Sequence, residues 1–102
     1  MKLIFSPAAI EDIQEISRYT GETWGMEQEE RYLKGLWKKL EDIRHAPESF
    51  RPRNELFEGC HTARFEKHVV FFGVKQGAVE VFRILHGAMD FRRHLKPDDR
   101  NL

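Results

Sequence analysis

The hydrophobic periodicity of the chain changes at Pro47, and this change limits the fold to one that combines helices with a sheet. Ahead of Pro47, apolar residues recur at the three- and four-residue spacing of amphipathic helices over about 7–20 and 26–45. Beyond it, β-branched and aromatic residues broken by turn residues fill about 54–86, and a short apolar segment, 2–5, precedes the first helix. The predicted order is β-α-α-β-β-β(-β), an α+β fold with an antiparallel helix hairpin on one face of a small, mainly antiparallel sheet.

Capping and turn residues set the limits of these elements. Ser6 can accept a hydrogen bond from a free N–H at the start of the first helix, and Pro7 suits the first helical position. Gly21 and Gly25 bracket the expected end of that helix, so a short link joins the two helices. Two-residue turns are expected in the strand-rich half at Glu58-Gly59, Glu66-Lys67 and Gln76-Gly77.

Two of the predicted strands, at 69–74 and 79–85, are apolar on both alternating faces. A layer of two helices covers only one face of a sheet, and an antiparallel sheet with a solvated face would alternate apolar and polar residues. The second face therefore needs a cover. We expect that cover to come from the C-terminal tail, 87–102, from a partner protein, or from both.

The length of 102 residues indicates a single domain, 1–102. Lysines plus arginines equal aspartates plus glutamates at 17 each, so no net field draws the chain to nucleic acid. The single cysteine, Cys60, is typical of a reducing compartment. With no expected leader peptide and no apolar run of the ~20 residues that span a membrane, we expect a cytoplasmic protein that makes no membrane contact.

The segment RILHGAMD places Arg83, His86 and Asp90 around a strand end and a glycine turn. A histidine titrates near neutral pH, so His86 permits interpretation as a general base. The alternative is a structural histidine at the strand end, hydrogen-bonded to a turn carbonyl or to Asp90. We favour the structural interpretation for the whole segment, which then closes the sheet and leads into the tail.

Cys60 and His61 could form a thiolate–imidazole pair, but adjacent side chains on a strand point to opposite faces. A packed cysteine is therefore expected. The five histidines lack the spacing of a metal site, such as i and i+4 on a helix, so neither a metal nor a cofactor is expected.

The order of elements and several segments resemble the RelE/ParE superfamily of toxin–antitoxin toxins, on its ParE (plasmid stabilisation) side. The resemblance covers nearly the whole chain and rests on LIFSPAAIEDIQEISRYTGETWG, YLKGLWKKLEDIRHAPESFRPRNEL and VEVFRILHGAMDFRRHL. It implies the β-α-α-β-β-β core, a ribbon-helix-helix antitoxin of the ParD type in a hetero-oligomer, and DNA gyrase as the target. Gyrase would be trapped on cleaved DNA, and the toxin would reach DNA only through the antitoxin or gyrase.

The superfamily also contains enzymes, so the resemblance leaves alternatives. RelE-like members cut mRNA on the ribosome, with basic side chains that hold phosphates and acid–base side chains that move protons. They often carry a tyrosine after the last strand, where this chain has Phe91, and its only tyrosines, Tyr19 and Tyr32, lie on predicted helices. We expect a non-enzymatic gyrase inhibitor; a ribosome-dependent mRNA endonuclease and a non-toxic, antitoxin-binding remnant are the alternatives.

Candidate binding residues follow from charge and from the apolar second face of the sheet. Members of the family use the C-terminal region in toxicity, so the candidates for target contact are the basic tail residues Arg92, Arg93, His94 and Lys96. The candidates for contact with an acidic antitoxin are residues of the strand-rich half: Arg53, Arg64, Val69, Phe71 and Val81. Ordinary solvated charge is the alternative for the basic residues.

Overall fold

A computed structural model describes residues 1–95. Lys96, one of the candidates for target contact, lies outside the described residues. The elements are β1 (Lys2–Phe5), α1 (Pro7–Trp24), α2 (Met26–His45), a 3-10 turn (Pro47–Ser49), β2 (Arg51–Pro52), β3 (His61–Phe65), β4 (His68–Lys75), β5 (Ala78–His86) and α3 (Phe91–His94). None of the helices in the described part of the chain combines the length and apolar character needed to cross a bilayer.

The strands form one sheet in the order β1-β5-β4-β3-β2. Each of the strands β2 to β5 pairs antiparallel with the next one along the chain. The last strand, β5, lies parallel to the first strand, β1, at the other edge of the sheet. The α1–α2 hairpin packs on one face, so the predicted α+β architecture is confirmed. The turns at Glu66-Lys67 and Gln76-Gly77 fall where the sequence predicts them, and Glu66 and Gln76 adopt positive φ there.

Ser6 fixes the start of α1 and ties it to the sheet. Its hydroxyl oxygen accepts the Ala9 N–H at 3.0 Å, as predicted for the cap, and its O–H donates to the carbonyl of Phe82 on β5 at 2.6 Å. The side chain is fully buried, so both bonds are made away from water. A buried hydroxyl without such bonds would cost free energy, which makes Ser6 a fixed joint between helix and sheet.

The first helix runs a few residues beyond the predicted 7–20 and ends at Trp24, between the two glycines that bracket its expected end. Only Gly25 separates the helices, and its φ of 94° is a conformation that favours glycine. Gly21 stays helical since an interior glycine costs a helix only about 1 kcal/mol, and its bare Cα faces the Glu29 side chain of α2. The hairpin is therefore longer and its link shorter than expected.

No strand begins near residue 54, where the sequence predicts one. The first strand after the helices is the short β2, and residues 53–60 form turns, closed by the Arg53 N–H on the Cys60 carbonyl at 2.7 Å. Asn54 Oδ1 accepts the Gly59 N–H at 2.9 Å. The apolar residues of this segment lie against the sheet rather than within it, because Phe57 and Cys60 are buried on its second face.

The two faces of the sheet have separate cores. The larger core lies under the helix hairpin and includes Leu36, Leu40 and Phe72. The second-face core contains Phe57, Cys60, Val69, Phe71, Phe82, Leu85 and Leu95. The cover of the second face is therefore the 53–60 turn together with the start of the tail, where the ring of Phe91 meets that of Phe71 at 4.8 Å. This confirms the tail as one source of the expected cover.

This arrangement buries the three apolar residues predicted to contact the antitoxin. Val69 is 6% exposed, and Phe71 and Val81 are fully buried. Contact of a partner with Val69 or Phe71 would require the tail and the 53–60 turn to move aside. Val81 belongs to the core under the helices, so displacing the tail would not expose it.

Candidate functional site

The residues of the RILHGAMD segment are held by bonds within the fold. The guanidinium of Arg83 spans both carboxylate oxygens of Asp12 on α1, at 2.8 and 2.9 Å, and its remaining nitrogen donates to the His94 carbonyl at 2.8 Å. The Ile84 N–H also donates to Asp12, at 2.9 Å. Arg83 therefore joins β5, α1 and α3.

His86 accepts a hydrogen bond from the Ala88 N–H on Nδ1, at 3.1 Å. His86 is therefore bonded within the turn, but its partner is this amide and not the turn carbonyl or Asp90 that the sequence predicts. An imidazole that accepts on Nδ1 carries its proton on Nε2 when neutral. While the turn is closed, His86 has no free lone pair with which to act as a base. The backbone carbonyl of Asp90 accepts the Arg93 N–H at 3.2 Å and so helps to start α3.

A cleft of about 650 Å³ lies beside His86, between the tip of the helix hairpin and the β3–β4 turn. Its lining consists of Tyr19, Thr20, Trp24, Gln28, Arg31, Tyr32, Phe65, Glu66, Lys67, His68 and His86. Exposed aromatic rings form one wall, since Tyr19 is 59% and Trp24 67% exposed. These residues come from separate parts of the sequence, and no local pattern predicts that they form one site.

Tyr32 and His68 form the floor of the cleft, with the phenol oxygen 2.6 Å from Nδ1 of the imidazole. Burial raises the pKa of the Tyr32 phenol, and burial together with the nearby His86 lowers the pKa of His68, so the phenol keeps its proton and the imidazole stays neutral. We assign the phenol as donor to Nδ1, which leaves His68 Nε2–H as a donor.

The imidazoles of His68 and His86 stand directly opposite each other on β4 and β5, with ring centroids 5.6 Å apart. With both protons on Nε2, the pair offers N–H donors and no lone pair for a metal ion. Among residues 1–95, no group of three or more His, Cys, Asp or Glu side chains could hold a metal. The cleft is therefore suited to a ligand that accepts hydrogen bonds.

Cys60 and His61 point to opposite faces of the sheet, as predicted. Cys60 is fully buried in the second-face core, and its thiol lies 3.6 Å from the His61 carbonyl oxygen. The His61 ring stacks on Phe72 at 5.5 Å, on the side of the helices. The two side chains are therefore not arranged as a thiolate–imidazole pair.

The predicted basic residues fall into two groups. Arg53 pairs with the Glu55 carboxylate at 2.5 Å, and Arg92 donates to the Glu55 carbonyl at 3.3 Å, so one antitoxin candidate and one target candidate meet at Glu55. Arg93 is exposed next to them on α3. Arg64 instead lies toward the cleft, where it donates to the Glu66 carbonyl at 3.4 Å. None of these contacts tests the predicted binding roles, which stay predictions.

Comparison with known proteins gives a family from the sequence and a shared fold from a solved structure. The family model for the "ParE toxin of type II toxin-antitoxin system, parDE" matches residues 3–91. Toxin ParE1 of Mycobacterium tuberculosis is 32% identical over 95 residues, 92% of this chain and 97% of the relative. Toxin ParE1 of Caulobacter vibrioides is 35% identical over 86 residues, 82% of this chain and 86% of the relative. A chain of the solved "Chromosomal ParDE TA system from P. aeruginosa" has the same fold, with a TM-score of 0.74 at 18% identity over 84% of this chain and 95% of that one.

Proposed function

The chain belongs to the ParE toxin family of type II toxin–antitoxin systems, and from this premise we propose that it inhibits DNA gyrase and is neutralised by a ParD-type antitoxin. The proposed inhibitor acts by binding and traps gyrase on cleaved DNA, which blocks replication. Because gyrase works on the chromosome, the proposed place of action is the cytoplasm.

The engagement of Arg83 and His86 in structural bonds is the observation that supports a non-enzymatic inhibitor. A ribonuclease of the RelE type needs a guanidinium directed at a phosphate and an acid–base group with a free lone pair. Here the guanidinium is occupied by Asp12 and the His94 carbonyl, and the histidine accepts a backbone N–H. Phe91, where the superfamily's enzymes often have a phenol, packs its ring against Phe71.

The proposed antitoxin is a ribbon-helix-helix protein of the ParD type, bound to the toxin in a hetero-oligomer. The similarity to proteins named Toxin ParE1 and the shared fold with the P. aeruginosa ParDE system support this partner. A partner that binds only the folded toxin raises its apparent stability by mass action. The melting temperature of the toxin should therefore increase with antitoxin concentration.

The target is tested by inducing the toxin and following incorporation of labelled thymidine and methionine. Gyrase inhibition predicts an early fall in thymidine incorporation, with methionine incorporation maintained at first, and accumulation of cleaved DNA when purified gyrase is mixed with toxin and plasmid. Co-expression of the antitoxin should restore both signals and serves as the control. An early fall in methionine incorporation with cuts at fixed codon positions would establish the ribonuclease instead. No effect on growth, with antitoxin binding intact, would establish a non-toxic remnant.

A further inference from the structure

The lining of the cleft beside His86 is rich in hydrogen-bond donors and positive charge. Arg31 and Lys67 supply cations, and His68 and His86 each carry an Nε2–H that is not used by the Nδ1 bonds. Glu66 is the only carboxylate among the lining residues. Arg31 is loosely paired, with 3.7 Å between its nitrogen and the Glu27 carboxylate, and Lys67 makes no ion pair within the described chain. Such a lining complements an anion with free lone pairs.

The cleft also has an apolar side that an inorganic anion would leave uncovered. Tyr19 and Trp24 stand more than half exposed on the hairpin, and Met26 beyond them is 83% exposed. Exposed aromatic side chains next to cations are typical of surfaces that bind protein segments, where a ring supplies buried area and a charge fixes the register. A peptide segment with both apolar and carboxylate side chains would satisfy both parts of the cleft.

We propose that this cleft receives a carboxylate-bearing segment of the antitoxin, whose apolar side chains cover Trp24 and Tyr19. The identity of the partner rests on the proposed function, whereas the place and chemistry of the contact rest on the cleft itself. Single-stranded nucleic acid would also offer anions and stacking bases. The balanced charge of the chain, 17 basic against 17 acidic residues, favours the peptide, because nucleic-acid affinity depends mainly on phosphate neutralisation.

The position of the contact is tested by fluorine NMR, with fluorotryptophan incorporated in the toxin and unlabelled antitoxin added. The chain has two tryptophans, so Trp37→Phe assigns both resonances. We expect the resonance of Trp24, at the end of α1, to shift on binding. The resonance of Trp37, which lies on α2 beside Phe5, should stay in place. A bound complex in which Trp24 does not respond overturns the proposed site and leaves the proposed function standing.

The chemistry of the contact is tested by charge reversal, with dissociation constants measured by titration. Arg31→Glu and Lys67→Glu should each weaken antitoxin binding by about tenfold or more, and the loss should shrink at high salt. Lys75→Glu reverses an equally exposed charge at the far end of β4 and should leave binding unchanged. Melting curves establish that each variant is folded. Equal binding by all three variants overturns the proposal.

Two further outcomes separate this site from its alternatives. If the wild-type toxin does not bind the antitoxin at all, the proposed function fails and the site proposal fails with it. A fluorescein-labelled oligodeoxythymidylate provides the nucleic-acid arm of the titration. If it binds the cleft, loses affinity in Lys67→Glu and does not compete with the antitoxin, the cleft is a nucleic-acid site and the peptide proposal is overturned.

Discussion

Arg83 on β5 and Asp12 on α1 form a bidentate ion pair whose side chains are only 17% and 13% exposed. The same carboxylate accepts the Ile84 N–H, and the same guanidinium reaches the His94 carbonyl. Two side chains therefore fix the helix hairpin, the last long strand and the start of the tail to one another. The pair matters mainly because it fixes the relative positions of these elements. Replacing both residues of such an ion pair by apolar residues would change the free energy of unfolding little.

Asp12→Ala should lower the free energy of unfolding by about 3 kcal/mol, because it leaves a part-buried guanidinium and the Ile84 N–H without their acceptor. Urea denaturation measures the change. Arg18→Ala is the matched control: Arg18 binds Glu22 at 2.8 Å on the surface of α1, and an exposed pair of this kind contributes little. Equal losses in both variants would contradict the joint assigned to Asp12.

The pairing of His68 with His86 in the cleft could not be predicted from the sequence. The two-residue turn at 76–77 pairs Lys75 with Ala78, and a regular register would then place His68 opposite Leu85. A bulge between Phe71 and Phe72 shifts the register by one residue and brings His86 opposite His68. Periodicity predicted the strands and the turn, but a bulge depends on packing and leaves no local pattern.

The cover of the second face could be predicted from the sequence only in part. The apolar pattern of 69–74 and 79–85 correctly required a cover, and the Phe91 and Leu95 side chains provide part of it. The sequence pattern does not reveal the contribution of residues 53–60, because their apolar residues predict a strand. A buried strand and a turn with buried apolar side chains have similar composition over so few residues.

Gly35→Ala should destabilise the protein despite the higher helix propensity of alanine. A Cβ at Gly35 would come within 2.5 Å of the Phe65 ring, which is held between α2 and the sheet against Tyr32. Forcing an extra methyl group into such a contact costs about 1–3 kcal/mol, more than the ~1 kcal/mol gained in propensity. Thermal melting with calorimetry measures the difference.

Gly21→Ala is the control for this substitution, since it also replaces an interior helical glycine. Its nearest neighbour is the carboxylate end of Glu29, which accepts the Ser17 O–H but lies at the end of a side chain that can rotate away from the added methyl group. The stability of Gly21→Ala should equal or slightly exceed that of the wild type. A loss as large as that of Gly35→Ala would show that backbone propensity, and not the Phe65 contact, governs both positions.

The stability contributed by His68 should decrease as the pH falls. Burial, and then the nearby His86, lower the pKa of His68 in the folded chain, while Asp12 opposes them. Between that lowered pKa and the usual value of ~6.5, the unfolded chain binds the proton more readily, so acidification favours unfolding. The difference in unfolding free energy between the wild type and His68→Gln should shrink from pH 7 downward. A difference that grows on acidification would contradict the neutral state assigned to His68.

His86→Ala should lower the free energy of unfolding by about 1 kcal/mol, because the Ala88 N–H loses its acceptor in the turn. Growth arrest after induction should persist at temperatures where the variant stays folded. His86→Gln, which can still accept that N–H, should recover part of the stability. An unchanged melting curve together with lost toxicity would assign His86 to the contact with the target or to catalysis.

Arg92 and Arg93 are both exposed on α3, and neither belongs to the cores beneath it. Arg92 makes one long bond of 3.3 Å to the Glu55 carbonyl, so reversing both charges disturbs little of the fold. If these residues contact gyrase, Arg92→Glu with Arg93→Glu should abolish growth arrest and gyrase inhibition. Antitoxin affinity should change by less than about threefold, because the cleft proposed for the antitoxin has no lining residue on α3 and rim charges act mainly on encounter. The double variant Lys38→Glu with Lys75→Glu makes the same change in net charge elsewhere and should remain toxic. Equal loss of toxicity in both doubles would point to overall charge, and a tail variant that stays fully toxic would move the target surface away from α3.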